Sequence, residues 1–373
     1  MKTGLVKSVA LIWLVPAAAT LVSCGSDTAQ APAFTRTAET EALLEGLRAV
    51  PEQGIMYGHH DDTVYGVEWF ADEGRSDVRE VCGDYPAVIS FDLGLIELGS
   101  DTTLDRVSFD KLRAEAVGHY ERGGLVSMSW HLRNPKTGGD SWDTSDSAVV
   151  TSILPGGDSH LKFAGWLGRL ADFFNSLQTA DGVKVPVLFR PWHEHTGSWF
   201  WWGAKLCTPD EYKALWRMTV DTLQAKGVDN LLYAYSTGTE PGDTAQYLER
   251  YPGDDIIDVV GFDTYQFGED PADYLETVER LSTIIESVGQ AHGKVTAVTE
   301  TGYESLPDPQ WWTGTLLPAL KKHHPAYALT WRNASDKPGH FYGPYPGQAS
   351  AEDFVKFYND TTTLFLSDIQ LYK

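Results

Sequence analysis

Cysteine is scarce: 373 residues carry three, at positions 24, 82 and 207. This excludes a disulfide-stapled scaffold, and no CxxC pair is present to begin a zinc site. Basic charge is also short. The chain has 29 Lys and Arg against 52 Asp and Glu, a formal charge of -23. Such an acidic chain repels nucleic acid and polyanionic substrates, and it suits a neutral one. There is no internal repeat. Long apolar runs are missing too: the stretch from Val9 to Val22 is too short and too early to span a membrane.

That stretch follows Lys2 and Lys7 and reads as a secretory signal. It ends Leu21-Val22-Ser23-Cys24 with Gly25 next, which resembles the bacterial lipobox, where cleavage precedes a cysteine that is then lipidated. Residues 1–23 are therefore expected to be a lipoprotein signal peptide, and residues 24–36 a flexible tether after lipidated Cys24. Residues 37–373 would form one folded domain. The mature chain, Cys24 to Lys373, has 350 residues. Its charge is -25, because the removed segment holds two Lys and no acid. The expectation is an exported bacterial lipoprotein, anchored at the outer membrane on its periplasmic or surface side. It would meet the membrane only through that anchor and be a monomer.

Eight strand-like runs punctuate the rest: Ile55–Gly58, Ala87–Phe91, Leu125–Trp130, Val185–Phe189, Asn230–Tyr235, Ile256–Phe262, Lys294–Thr299 and Tyr327–Trp331. Helical patterns lie between them. Ser159–Leu177 places Phe163, Trp166, Leu167, Leu170, Phe174 and Leu177 on one face. The next helix opens with Thr208, Pro209 and Glu211, a capping box with proline at the first position. Further helices are expected at Asp72–Val81, Asp105–Arg122, Pro271–Ala291, Trp311–His323 and Ala351–Phe365. Eight strands alternating with helices predict an α/β fold, a single-domain (β/α)8 TIM barrel, in preference to an open doubly wound sheet. Asn134–Asp158, rich in Gly, Asp and Ser, would be an ordered loop over the mouth. Cys82 and Cys207 would lie at opposite ends of the barrel, too far apart to bridge.

Chemistry in such barrels gathers where strands end. The ends carry His59-His60-Asp61-Asp62, Asp92, His131, Arg190 to Glu194, Asp263 and Tyr265, Glu300, and Trp331-Arg332-Asn333. The sharpest pair is Glu194 and Glu300, after strands four and seven. Two carboxylates flanking one bond are what glycoside cleavage requires: one protonates the leaving oxygen, the other attacks carbon or activates water. The aromatics Trp199, Phe200, Trp201 and Trp202 beside Glu194 suit the apolar faces of a sugar. Arg190 reads equally as a donor to Glu300 and as a buried ion pair. Adjacent residues on one strand point to opposite faces, so His59 to Asp62 make a poor metal site. No cofactor is expected. Trp311-Trp312 and Phe341-Tyr342 read equally as packing or outer subsites, and one of Trp201 and Trp202 is expected in the core.

Arg190-Pro191-Trp192-His193-Glu194 with Trp199-Phe200-Trp201-Trp202-Gly203, Gly261-Phe262-Asp263-Thr264-Tyr265, Thr299-Glu300-Thr301-Gly302 and Trp130-His131-Leu132-Arg133-Asn134-Pro135 resemble glycoside hydrolase family 26. Most of that family are β-1,4-mannanases that retain anomeric configuration. The resemblance implies that Glu194 is the acid/base and Glu300 the nucleophile. It further implies that His193 orients Glu194 or the sugar, and that Tyr265 positions Glu300. Trp199 would floor the leaving-group side, and Trp331 would stack under the sugar at the cleavage point. His131, Asp263 and Arg332 would touch substrate hydroxyls. The implied substrate is mannan, glucomannan, galactomannan or their oligosaccharides. Mixed-linkage β-glucanase and β-1,3-xylanase activity occur on the same fold, and a glycan-binding lipoprotein on a dead barrel is the non-enzyme alternative. The loops Asn134–Asp158 and Asn333–Gln348 would wall off one end of the cleft; the residues leave endo cleavage and mannobiose release both open.

Overall fold

The structure, a computed structural model, describes residues 1, 3, 4 and 34–372. The signal run Val9–Val22, Cys24 and the tether up to residue 33 lie outside the described residues. The folded unit begins at Thr35. Its eight parallel strands are β1 Ile55–His60, β2 Val88–Asp92, β3 Leu125–Ser129, β4 Val187–Arg190, β5 Leu231–Thr237, β6 Val259–Gln266, β7 Val295–Tyr303 and β8 Tyr327–Thr330. Each pairs with the next, and β8 pairs with β1 through Met56 opposite Tyr327, which closes the barrel.

Both faces of every strand are covered, so the strands are nearly continuous apolar runs. Alternate residues Met56, Val88, Leu125, Leu188, Leu232, Val259, Val295 and Tyr327 belong to one cluster, the barrel interior. Their neighbours Tyr57, Ile89, Val126, Phe189, Tyr233 and Val260 belong to the outer cluster, shared with the helices. The helix His160–Ser176 buries Phe163, Trp166, Leu167, Leu170 and Phe174 there. The helix Pro209–Ala225 starts with the capping box: Thr208 Oγ1 accepts from Glu211 N at 3.3 Å, and Glu211 Oε2 accepts from Thr208 N at 2.8 Å.

Several boundaries differ from expectation. β4 begins at Val187, not Val185, since Pro186 has no N–H to give a ladder. β6 begins at Val259 and continues through Gln266, and β7 continues through Tyr303. Asp263, Tyr265 and Glu300 therefore lie inside strands, because polar residues replace the apolar run while the ladder goes on to Gln266 opposite Tyr303. The helix expected at Asp105–Arg122 starts at Phe109, where Ser108 caps it, and the one expected from Asp72 is Asp77–Cys82, capped by Ser76. Trp311–His323 divides into a π-helical turn, Trp312–Leu316, and an α-turn, Leu317–Lys321. Ala351–Phe365 is helical only to Tyr358. Asp360 Oδ1 then accepts from Thr362 N at 3.0 Å, and Thr363–Leu364 pairs beside Ile55 and Met56. The loop over the mouth contains a short helix, Val149–Ile153. Both Cys82 and Cys207 are free thiols. Among the described residues no helix is long and apolar enough to cross a membrane.

Two features position the site. First, β7 carries one residue more than its neighbours near Glu300: Phe262 pairs with Val298, but Asp263 pairs with Glu300. Thr299 and Glu300 consequently both face inward. Thr299 Oγ1 donates to Asp263 Oδ1 at 2.7 Å inside the barrel, whereas Thr301 Oγ1 meets Tyr274 OH of the outer helix Ala272–His292 at 2.8 Å. Such bulges re-aim side chains next to sites. Gly261 makes the room, since a Cβ there would stand 2.6 Å from the Thr299 methyl. Second, the chain enters at the opposite end. Arg36 pairs with Asp258 at 2.7 and 2.8 Å and Thr37 N donates to Asp229 O at 3.0 Å, both just before strands begin. The helix Ala38–Ala49 adds Leu43, Leu44 and Leu47 to the interior cluster.

Candidate active site

β4 delivers Arg190 and is followed by a strained turn. Trp192 and Glu194 have φ of 57° and 52°. Non-glycine residues held there cost about 1–3 kcal/mol each, and the surroundings must hold them. They do: Tyr212 OH donates to Trp192 O at 2.7 Å, and Glu194 N donates to Ser236 O on β5 at 3.1 Å. The Trp192 ring packs 5.6 Å from Trp201 and 5.6 Å from Trp202. Glu194 thus projects from a fixed backbone into a cleft of about 410 Å³ lined by Trp199, Gly238, Glu240, Asp263 and Tyr265. Trp199 Nε1 donates to Glu194 Oε2 at 2.6 Å. Burial, then the nearby Glu300 charge, push the Glu194 carboxyl well above the ordinary glutamate range, with the Trp199 bond opposing.

Glu300 has different company. Arg190 Nη2 donates to its Oε2 at 2.5 Å, and Tyr265 OH donates to its Oε1. Arg190 is 2% exposed and also donates through Nη1 to Asp263 Oδ2 at 2.7 Å. One guanidinium therefore joins β6 and β7 carboxylates from β4. Burial disfavours the Arg190 charge, but Asp263 and Glu300 more than offset it and hold the guanidinium protonated. Burial pushes the Asp263 carboxyl up against the opposing Arg190 charge, and Glu300 adds to the rise. Tyr342 stands 5.4 Å from the Tyr265 ring and backs it.

The two histidines join in a line. His131 Nδ1 lies 2.7 Å from Asp92 Oδ2, and its Nε2 lies 3.1 Å from His193 Nε2. Burial would raise the Asp92 carboxyl; the His131 charge and bond, with Gly94 N at 2.8 Å, hold it low instead. Burial, then the Arg190 charge, push His193 down, so its ring is neutral. Trp331 stacks on His60 at 4.1 Å and 21°. Arg332 donates to Tyr65 OH at 3.2 Å and to Asp105.

Glu194, Glu300, His131, His193, Trp199, Asp263, Tyr265, Trp331 and Arg332 thus gather at the C-terminal end of the barrel. Asp263 is 2% exposed and spends its carboxylate on Arg190 and Thr299. The cluster at the end of β1 is taken up by local partners: His59 meets Thr330, His60 lies 3.3 Å from Asp61, Asp61 also accepts from Tyr65 OH at 2.6 Å, and Asp62 accepts from Ser76. Among the described residues no group of three or more His, Cys, Asp and Glu is arranged to hold a metal ion. Trp201, Trp202, Trp311 and Trp312 are all fully buried. Sequence reasoning missed Trp142, 53% exposed on the loop over the mouth and stacked on His131 at 5.4 Å and 13°. A tryptophan within a Gly-, Asp- and Ser-rich loop was the available signal. It also missed Asp92 as the His131 partner, and Asp105 and Tyr65 as partners of Arg332.

The arrangement offers one carboxyl raised by burial, Glu194, and a second, Glu300, whose oxygens accept from an arginine and a tyrosine, among aromatic rings. The sequence profile described as Glycosyl hydrolase family 26 matches residues 33–338. A mannan endo-1,4-beta-mannosidase of Bifidobacterium adolescentis is 34% identical over 355 residues, covering 89% of this chain and 35% of that protein. The chain thus spans about a third of the length of that relative. The solved structure of a GH26 beta-mannanase from Bacteroides ovatus superimposes with a TM-score of 0.89 at 56% identity, covering 91% of this chain and 98% of the other. A Cellulomonas fimi endo-beta-1,4-mannanase double mutant gives 0.83 at 36% identity, covering 91% and 78%.

Proposed function

The chain belongs to glycosyl hydrolase family 26, and from that premise we propose that it is a retaining β-mannanase. It hydrolyses β-1,4-mannosidic bonds of mannan, glucomannan or galactomannan by double displacement. The observation that carries this reading is the contrast between the two glutamates. Burial and Glu300 keep Glu194 protonated, while Arg190 and Tyr265 both donate to Glu300. Paired carboxyl groups in opposite environments divide into an acid and a nucleophile.

Glu300 attacks the anomeric carbon as the bond to the leaving oxygen breaks. Glu194 gives that oxygen its proton, and a glycosyl ester on Glu300 remains. Glu194, now ionised, takes a proton from water; the water oxygen bonds to the anomeric carbon and the ester bond breaks, releasing Glu300. Two inversions give net retention. Tyr265 and Arg190 position Glu300 and take up the charge it regains. His193, oriented through His131 and Asp92, lies beside the sugar with His131. Trp331, supported by His60, stacks under the sugar at the cleavage point. Arg332 contacts hydroxyls further along, and Trp199 floors the leaving-group side.

We propose a bacterial lipoprotein, cleaved before Cys24 and held to the membrane by that residue's lipid, with residues 24–36 as tether. The function is tested by incubating protein lacking residues 1–24 with galactomannan, glucomannan, mixed-linkage glucan and xylan while following reducing ends. Release from the mannans supports the reading. Release from mixed-linkage glucan alone replaces it with a glucanase, and no release from any polysaccharide leaves a binding protein.

A further inference from the structure

Arg250, after β5, is 3% exposed. Burying a cation is costly unless partners take up its charge, and a carboxylate is the usual one. Among the described residues no carboxylate pairs with Arg250. Glu211 feels its charge but is spent on Thr208 and Thr151. The guanidinium donates instead to Cys207 O at 3.0 Å, to Trp202 O at 3.2 Å and to Cys207 Sγ at 3.0 Å. It also lies over the Tyr212 ring, 4.6 Å from its centroid. The segment before it is itself moored: Tyr235 OH donates to Tyr247 O at 2.8 Å, and Tyr247 OH donates to Gly261 O of β6 at 2.8 Å.

These contacts converge on one segment, Trp192 to Cys207, which carries Glu194. At its start, Tyr212 OH holds Trp192 O in the strained turn. Tyr212 touches both Arg250 and His195, whose ring stands 4.4 Å away. At its end, Arg250 holds Trp202 O and Cys207 O. In between, Trp202 Nε1 donates to His193 O at 2.9 Å, and Ala204 N donates to Gly197 O at 2.7 Å. The Trp199 ring lies on that turn, where a Cβ at Gly197 would stand 2.2 Å from it. The bond from Trp199 to Glu194 is thus carried by a loop whose two ends meet at Arg250.

We propose that Arg250 is a positioning residue for the acid/base. It closes the segment Trp192–Cys207, through Tyr212 at one end and two carbonyls at the other, and so sets where Glu194 stands relative to the departing oxygen. This rests on the β-mannanase reading. Its effect falls on proton donation rather than on attack by Glu300, which Arg190 and Tyr265 hold from β4 and β6. A departing sugar needs the proton that Glu194 gives; a dinitrophenolate leaves without one.

The test compares kcat/KM, which reports the first displacement, on mannotetraose and on 2,4-dinitrophenyl β-mannobioside. Arg250→Met should lose roughly tenfold more on mannotetraose than on the aryl mannoside, a fraction of what a general acid contributes. Tyr212→Phe keeps the ring beneath the guanidinium and removes only the bond to Trp192 O, so it should fold and show the same selective loss. Arg250→Lys keeps a charge there but cannot span two carbonyls, and should fall between Arg250→Met and wild type. If Arg250→Met fails to fold, the other two variants decide. Equal losses on the two substrates, or no loss, overturn the positioning role while leaving the mannanase reading intact. A wild-type enzyme that cleaves neither mannoside overturns the substrate reading, and this role with it.

Discussion

Glu194 and Glu300 carry the same functional group in opposite surroundings, and each surrounding can be tested alone. Glu300→Ala should lower kcat by at least about 10⁴ while mannan binding persists, as expected for loss of a covalent nucleophile. Affinity electrophoresis in galactomannan gels checks the binding; turnover near wild type would mean the nucleophile lies elsewhere. Glu194 makes a prediction about stability. A carboxyl with a higher pKa in the folded state binds its proton more tightly there. That contribution is complete below the unfolded value and is lost as pH rises through the folded one. Glu194→Gln stays neutral, so its Tm relative to wild type should climb as pH rises above the ordinary glutamate value of about 4. A constant difference as pH rises would contradict the raised pKa. Arg190→Lys should be costly, because one ammonium cannot serve Asp263 and Glu300 together. Breaking a buried pair costs about 3–5 kcal/mol, read by urea denaturation. Both glutamates were legible in the sequence because they fall in phase with the strands. The company each keeps was not: Arg190 reads equally as a donor and as an ion pair, and it is both.

At the scale of elements, signals written in adjacent residues were legible and those written between strands were not. Thr208, Pro209 and Glu211 announce a helix start, and the helix begins there. Thr208→Ala should cost about 1 kcal/mol, seen as a lower urea midpoint at unchanged m-value, with kcat unaffected. The bulge in β7 is the contrasting case. Strict alternation puts Thr299 and Glu300 on opposite faces, and nothing in Thr-Glu-Thr-Gly reports the extra residue. Only pairing with β6 reveals it. Thr299→Val removes a donor to Asp263 and should cost about 1–3 kcal/mol. The same variant should lower kcat through the displaced Asp263–Arg190 contact; normal stability and rate would mean the bulge positions Glu300 unaided. The segment 351–365 failed for a similar reason. Its apolar spacing suits a helix, but pairing with β1 draws Thr363–Leu364 into the sheet.

For the whole molecule, the eight alternating units were enough to read the barrel, and the polar strand ends marked the face where Glu194 and Glu300 gather. The proposed lipid anchor has its own test: Cys24→Ala should move the protein from the membrane fraction to the soluble one while specific activity stays. The folded unit itself is fastened on the face opposite the mouth. Arg36 and Thr37 are fastened to Asp258 and Asp229, at the strand ends farthest from Glu194 and Glu300. The mouth, with Glu194 and Glu300, thus lies on the face away from the point where the folded unit begins, and nothing fastened at Arg36 and Thr37 crowds it.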